Sequence, residues 1–273
     1  MASPSPASGP ERPVTVAGVG YLNARPLVAG LEAGLEAPFP YRLITAEPAE
    51  CAERLRRGEA GAGLVPVASL ADGAAAACVP GIGIAAEGEV WSVLLVSRTP
   101  RERIRRLAVH AASRSSAALA ELLLRMEAGV RPSVRRTGEP LEALGRDADA
   151  AVVIGDPALA VRGRTGLEEI DLAAWWREAT GLPFVFAVWG LAPGPHREGL
   201  ADLLERSAAW GLANMDRVLA AAPGDRTLVR EYLEGRLRYR LGPPEREGLA
   251  RFLALAARHG ILPETEVVWH ERC

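Results

Sequence analysis

The sequence contains no lysine, so all 32 residues of its Lys+Arg total are arginine. That absence excludes a lysine Schiff base, a pyridoxal anchor and a Walker-type phosphate lysine. It accompanies abundant alanine, glycine and proline and reads largely as compositional bias. Cysteine is scarce as well. Cys51, Cys78 and Cys273 make an odd count with no CxxC pair, which argues against a disulfide framework or a zinc knuckle. The histidines, His110, His196, His259 and His270, form no HxxxH or HExxH pattern, so no metal site is expected. Charge of either sign is not in excess: 32 basic against 34 acidic residues give a net charge of -2, which argues against nucleic acid as the main partner. Long apolar runs are missing. The longest, Pro183 to Pro193, falls far short of the ~20 residues that span a bilayer, so no membrane partner is expected. Residues 1–13 are small, polar and proline-rich, without the basic start and apolar block of a secretory signal. They read as a disordered leader on a cytoplasmic protein. The G-x-S-x-G elbow and the kinase signatures are absent, and Gly81-Ile82-Gly83 is too short for a dinucleotide fingerprint.

What remains is an ordinary globular composition. With 273 residues, 49% hydrophobic and 24% charged, the chain is long enough for one large or two modest domains, each able to bury a core without staples. Strand and helix signals alternate. Val14 to Val19 is a β-branched run that enters a turn at Tyr21-Leu22-Asn23, and Arg25-Pro26-Leu27 opens a helix. Tyr41 to Thr45 and Gly63 to Val67 read as further strands, with a helix begun by Pro48 and closed at Gly58 between them. Leu107 to His110 is a strand before a helix whose Leu119, Leu122, Leu123 and Met126 share one face and which Gly129 ends. Ala151 to Ile154 is another strand. Beyond Pro195 the spacing predicts helices over 197–222, 225–234 and 243–258.

Two runs are apolar throughout rather than alternating: Val90 to Ser97 and Phe184 to Leu191. That pattern suits strands buried on both faces. One arrangement makes them crossing strands between two α/β lobes, lobe 1 being 14–95 plus 193–273 and lobe 2 being 96–192, with a ligand cleft between. The other is a single doubly wound sheet.

Four places could carry chemistry. Ser113-Arg114-Ser115-Ser116 follows a strand and opens a helix, where free N–H groups, hydroxyls and a guanidinium can hold a carboxylate or phosphate, or Ser113 or Ser115 can simply cap the helix. Asn23 ends the first strand, where it can face a ligand crevice or merely tolerate a turn. Asp156, in Ile154-Gly155-Asp156-Pro157, is a ligand contact, an acid or base, or a helix cap. Ser92, among apolar neighbours, either bonds nearby backbone or faces the cleft. His110 is the histidine closest in sequence to such a site and reads as a core or supporting residue. Trp175-Trp176 reads as helix packing with one ring at the surface.

Taken together, these motifs resemble one family. YLNARPL (21–27), GIAAEGEVWSVLLVSR (83–98), SRSSAAL (113–119), DADAAVVIGDPAL (147–159), WWREATGLPFVFAVW (175–189) and LRYRLGPPEREGLARFLALA (237–256) are similar, in this order, to chorismate dehydratase, the first enzyme of the futalosine route to menaquinone. The resemblance covers nearly the whole chain and implies an α/β, two-lobed type-2 periplasmic-binding-protein-like fold with a central cleft. It implies a cofactor-independent hydro-lyase that converts chorismate, a dicarboxylate, to 3-[(1-carboxyvinyl)oxy]benzoate. Asn23 matches the family's important asparagine, with Asp156 as alternative acid or base. Ser92, Arg114, Ser115 and Ser116 fall at substrate-binding positions. The chain departs from the pattern at Gly61 to Leu70 and in having Ser115 where threonine is common. Trp91 is bulkier than usual and is expected to narrow the cleft. The rival readings are a small-anion solute-binding or sensing protein on the same fold, and an enzyme like 1,4-dihydroxy-6-naphthoate synthase.

Overall fold

The computed structural model describes residues 12–271; Cys273 and most of the expected leader, residues 1–11, lie outside the described residues. The β-branched run Val14–Val19 forms β1, and Tyr41–Ala46 forms β2 parallel to it, in register from Val14 opposite Tyr41 to Val19 opposite Ala46. Between them runs α1 (Arg25–Glu32), with Pro26 in its first turn, where a missing N–H costs nothing. After α2 (Pro48–Arg56) comes β3 (Ala62–Pro66), parallel to β1 on its other side, and then β4 (Ala77–Ala86).

The chain leaves this sheet through residues 87–92 and builds a second one. β5 (Val93–Ser97) and β6 (Arg106–His110) precede α3 (Ser115–Glu127), and β7 (Ser133–Thr137) and β8 (Ala150–Ile154) follow it. α4 (Gly155–Val161), β9 (Glu168–Asp171) and α5 (Leu172–Thr180) complete this lobe. The return strand β10 (Phe184–Leu191) inserts between β3 and β4, antiparallel to both. Then come α6 (Arg197–Ala213), α7 (Met215–Ala220), α8 (Arg226–Arg230), a one-turn π-helix at Glu231–Arg236, β11 (Arg238–Arg240) and α9 (Pro243–Arg258). The sheet orders are β11-β4-β10-β3-β1-β2 and β7-β6-β8-β5-β9.

Burial explains the order. β3 and β5 are buried at every position and β10 at all but Ala187, so all three sit inside their sheets. β7, with Arg135 and Arg136 exposed, forms an edge where charge blocks further pairing.

There are thus two sheets, not one, but the expected boundaries move. Residues 184–191, expected in lobe 2, pair with β3 and β4 and so belong to the first sheet. Residues 93–97, expected to straddle the 95/96 boundary, pair wholly with β8 and β9 in the second. A strand goes where its N–H and C=O groups find partners along its whole length. The run Val90 to Ser97 is also not one strand. The N–H groups of Val90 and Trp91 go to Asp171 Oδ2 at 2.9 and 2.7 Å, and Trp91 has φ 65°, a left-handed conformation rare for a bulky residue.

Other differences have local causes. The helix expected over 197–222 breaks at Asn214, whose ψ is 37° and whose side-chain amide donates to Trp210 O at 2.9 Å. Within α6, Gly211 is needed for close packing, because a Cβ there would come within 1.9 Å of Pro26 O on α1. The expectation of one exposed tryptophan ring is not met, since Trp175 and Trp176 are both buried. Trp176 packs edge-on against Phe184 and Phe252 and donates to Pro183 O at 3.1 Å, joining α5, the return segment and α9. Among the described residues no helix is long and apolar enough to cross a membrane.

Candidate active site

A cleft with about 590 Å³ of empty space, part of it open to solvent, lies between the lobes. β1 and β8 run into it at their carboxyl ends, through Val19 and Ile154. Its wall is largely apolar, with Leu64, Ile84, Val93 and Phe186, and its polar groups are few. Asn23, Ser92, Arg114, Ser115 and Ser116 all line it, drawn from three separate stretches of sequence: the turn after β1, the crossing segment and the α3 entry.

The serine segment divides its labour. The first intrahelical bond of α3 runs from Ala118 N–H to Arg114 O, so the N–H groups of Ser115, Ser116 and Ala117 lack helical acceptors. No side chain caps this end. Ser115 Oγ donates to Phe186 O at 3.0 Å and accepts Ala68 N–H at 3.2 Å, so it ties the second lobe to the first. Ser116 lines the cleft, and its hydroxyl has no hydrogen-bond partner among the described residues. Ser113 was expected either to offer its hydroxyl to a ligand or to cap the helix, and it does not cap. Its Oγ is buried in the cleft wall without a hydrogen-bond partner among the described residues, which leaves it available to a ligand's polar group. Arg114 sits at the rim, 3.3 Å from Asp72 of the first lobe.

Asp156 is placed differently from Asn23 and Ser92. It is not among the cleft-lining residues and does not cap α4; its Oδ1 accepts Leu22 N–H at 3.0 Å, across the lobes. Beside it Gly155 has φ 66°, and a Cβ there would meet the Tyr21 ring at 3.2 Å, so the position demands glycine twice over. Gly155 N–H donates to Ser92 O at 2.8 Å. Tyr21 reaches Glu47 with its hydroxyl at 2.8 Å, and burial followed by that bond pushes its phenol above the ordinary tyrosine range. The Gly155-Asp156 step and the Tyr21-Leu22-Asn23 turn therefore dock on each other.

Trp91 does not narrow the cleft. Its ring is outside the cleft lining and in contact with Arg162 of the second lobe, 4.5 Å from the ring centre, and Arg236 of the first, at 4.1 Å. Its indole N–H goes to Glu89 at 3.0 Å, and Glu89 lies 3.6 Å from Arg162 and 4.0 Å from Arg236. Asp171 underpins this crossing with one carboxylate, Oδ2 taking Val90 and Trp91 and Oδ1 capping α5 through Ala173 and Ala174. Burial nonetheless pushes its carboxyl above the usual carboxylate range.

Groups for conventional acid–base, thiol or metal chemistry are not assembled here. His110 accepts Ala112 N–H at 3.2 Å and is outside the cleft lining. Burial pushes Cys51 and Cys78 up to about 12, so neither offers a thiolate. Among the described residues no cluster of three or more His, Cys, Asp or Glu could hold a metal ion. One residue escaped sequence reasoning altogether: Tyr232, on the π-helix, donates its hydroxyl to Ser92 Oγ at 2.7 Å. No local motif marks it. A π turn, often found at functional sites, is visible only in the structure.

The sequence profile of a family described as menaquinone biosynthesis matches residues 14–258. The chain belongs to the menaquinone biosynthesis family. The matched region of this family takes in both sheets, the whole cleft lining and the π-helix. Chorismate dehydratase of Thermus thermophilus is 32% identical over 253 residues, 85% of this chain and 91% of that protein. A solved structure from Archaeoglobus fulgidus superposes with a TM-score of 0.73 at 14% identity, covering 91% of this chain and 98% of that one. A Candida albicans protein described as having the generic periplasmic binding protein fold superposes with a TM-score of 0.67 at 11% identity, covering 93% and 92%. The structural likenesses bear on fold alone, and they bear out the two-lobed periplasmic-binding-protein-like reading of this menaquinone biosynthesis family member.

Proposed function

We propose that this protein is a chorismate dehydratase, a hydro-lyase that eliminates water from chorismate to give 3-[(1-carboxyvinyl)oxy]benzoate. The observation that carries this reading is the convergence of Asn23, Ser92 and the uncapped α3 N-terminus in one cleft, in a chain 32% identical to a protein of that name. The ring loses the proton on C3 and the hydroxyl on C4 and becomes aromatic, which drives the reaction. The free N–H groups of α3, the partnerless Ser113 hydroxyl and Ser116 receive one carboxylate, with Arg114 at the rim adding charge. Asn23 orients the ring or donates to the departing hydroxyl, and Ser92 donates from the crossing segment. An amide has no pKa suited to general-base work. The substrate's own enolpyruvyl carboxylate, beside C3, takes that proton and passes it to the hydroxide leaving C4, which departs as water. The protein supplies position and electrostatic support. Asp156, bonded to Leu22, holds the turn that carries Asn23.

The test is incubation of purified protein with chorismate and no added cofactor, followed by mass and ultraviolet absorbance. Formation of the aromatic ether supports the reading. Binding of chorismate without conversion would overturn it in favour of a solute-binding role, and conversion of a cyclic futalosine derivative would favour the naphthoate synthase reading.

A further inference from the structure

Tyr232 comes from the C-terminal part of the chain, 140 positions from the serine it touches. Its side chain is 1% exposed. It sits in the π-helix Glu231–Arg236, an uncommon turn that re-aims side chains relative to the α-helix before it. That turn serves two adjacent residues of the crossing segment at once: Arg236 covers the Trp91 ring at 4.1 Å, and Tyr232 meets Ser92 at 2.7 Å. Tyr232 thus stands behind Ser92, a polar side chain that the dehydratase reading places on the reacting face.

Resting on that reading, we propose that Tyr232 is a positioning residue for the dehydration, donating its O–H to Ser92 Oγ so that the serine's single hydrogen is directed into the cleft. A serine hydroxyl has one hydrogen and two acceptor sites. Ser92 is fully buried, and Tyr232 is its side chain's hydrogen-bond partner among the described residues. Once the phenol occupies one acceptor site, the serine hydrogen must point elsewhere, and the cleft is the polar space it lines. Burial raises the phenol above the ordinary tyrosine range, with the Ser92 bond opposing, so it remains a donor where an exposed tyrosine would ionise. Without it, Ser92 is free to rotate, and its hydrogen spends less time on substrate. The effect belongs on turnover rather than on binding, because the carboxylate-holding groups of α3 are untouched.

The experiment is a double-mutant cycle on the full chain, with steady-state dehydration of chorismate, direct titration of chorismate binding and circular dichroism to confirm folding. Tyr232→Phe keeps the ring and removes only the O–H. The expected result is a kcat lower by about tenfold or more with KM within about threefold, and no further loss when Tyr232→Phe is added to Ser92→Ala. Losses that multiply in the double variant, or an unchanged kcat in Tyr232→Phe, overturn the proposal while leaving the dehydratase reading intact. A wild-type chain that never converts chorismate overturns that reading and this proposal with it.

Discussion

Asp156 of the second lobe accepts the backbone N–H of Leu22 in the first, at 3.0 Å, one residue before Asn23. The bond needs an oxygen acceptor, not a negative charge. Asp156→Asn is therefore expected to keep kcat within about twofold, because the amide oxygen can take the same N–H. Asp156→Ala removes the acceptor and is expected to lower kcat/KM by up to about tenfold, the worth of one net hydrogen bond. Steady-state kinetics on both variants decides it. A loss of a hundredfold or more in Asp156→Asn assigns the carboxylate to the chemistry itself.

Asn23 should behave otherwise. Asn23→Asp and Asn23→Ala are both expected to suppress kcat strongly, the first by placing a negative charge beside a dianionic substrate and the second by removing the amide. Near wild-type turnover in both variants removes Asn23 from the mechanism.

The neighbouring serines should separate by phenotype. Ser115→Ala strands Ala68 N–H and Phe186 O in a buried place, at a cost of about 1–3 kcal/mol. At about 2–4 °C of Tm per kcal/mol for a chain of this size, thermal melts should show a clear drop. Ser116→Ala breaks no internal bond, so its melting temperature should hold while KM for chorismate rises. The reverse pattern contradicts the division of roles.

Gly155→Ala forces a Cβ into a left-handed position, which costs roughly 1–2 kcal/mol, and pushes on the Tyr21 ring 3.2 Å away. The Gly155-Asp156 step should shift off the Tyr21-Leu22-Asn23 turn, so kcat/KM is expected to fall further than the stability loss alone explains. Wild-type kinetics with a lowered Tm would show that the docking is irrelevant to turnover.

The strands legible in sequence were those whose signal is local. Val14 to Val19 is β-branched and bounded by glycine, and it forms β1 with those ends. β4 carries Pro80, Gly81 and Gly83 and shows no clean alternation, so nothing near it in sequence announces a strand; its partners β10 and β11 supply the order. Likewise Asn23, Ser92 and the serine segment were readable as motifs at element ends, and all line the cleft. Which hydroxyl is free was not readable. Ser115 is occupied because Phe186 and Ala68 approach from the other lobe, and Ser113 meets no such partner among the described residues. Tyr232 was invisible for the same reason, since its meaning lies in a contact with a residue distant along the chain.

Trp91, in contact with Arg162 and Arg236, gives the molecule an optical gauge of its own shape. Each lobe contributes one of the two cations, so separation of the lobes draws one cation off the indole. Its emission should shift to longer wavelength on opening and return when ligand draws the lobes together. The difference spectrum between the wild type and Trp91→Phe isolates that signal from the other tryptophans. Substrate arrival can then be timed directly, ahead of and apart from the appearance of product.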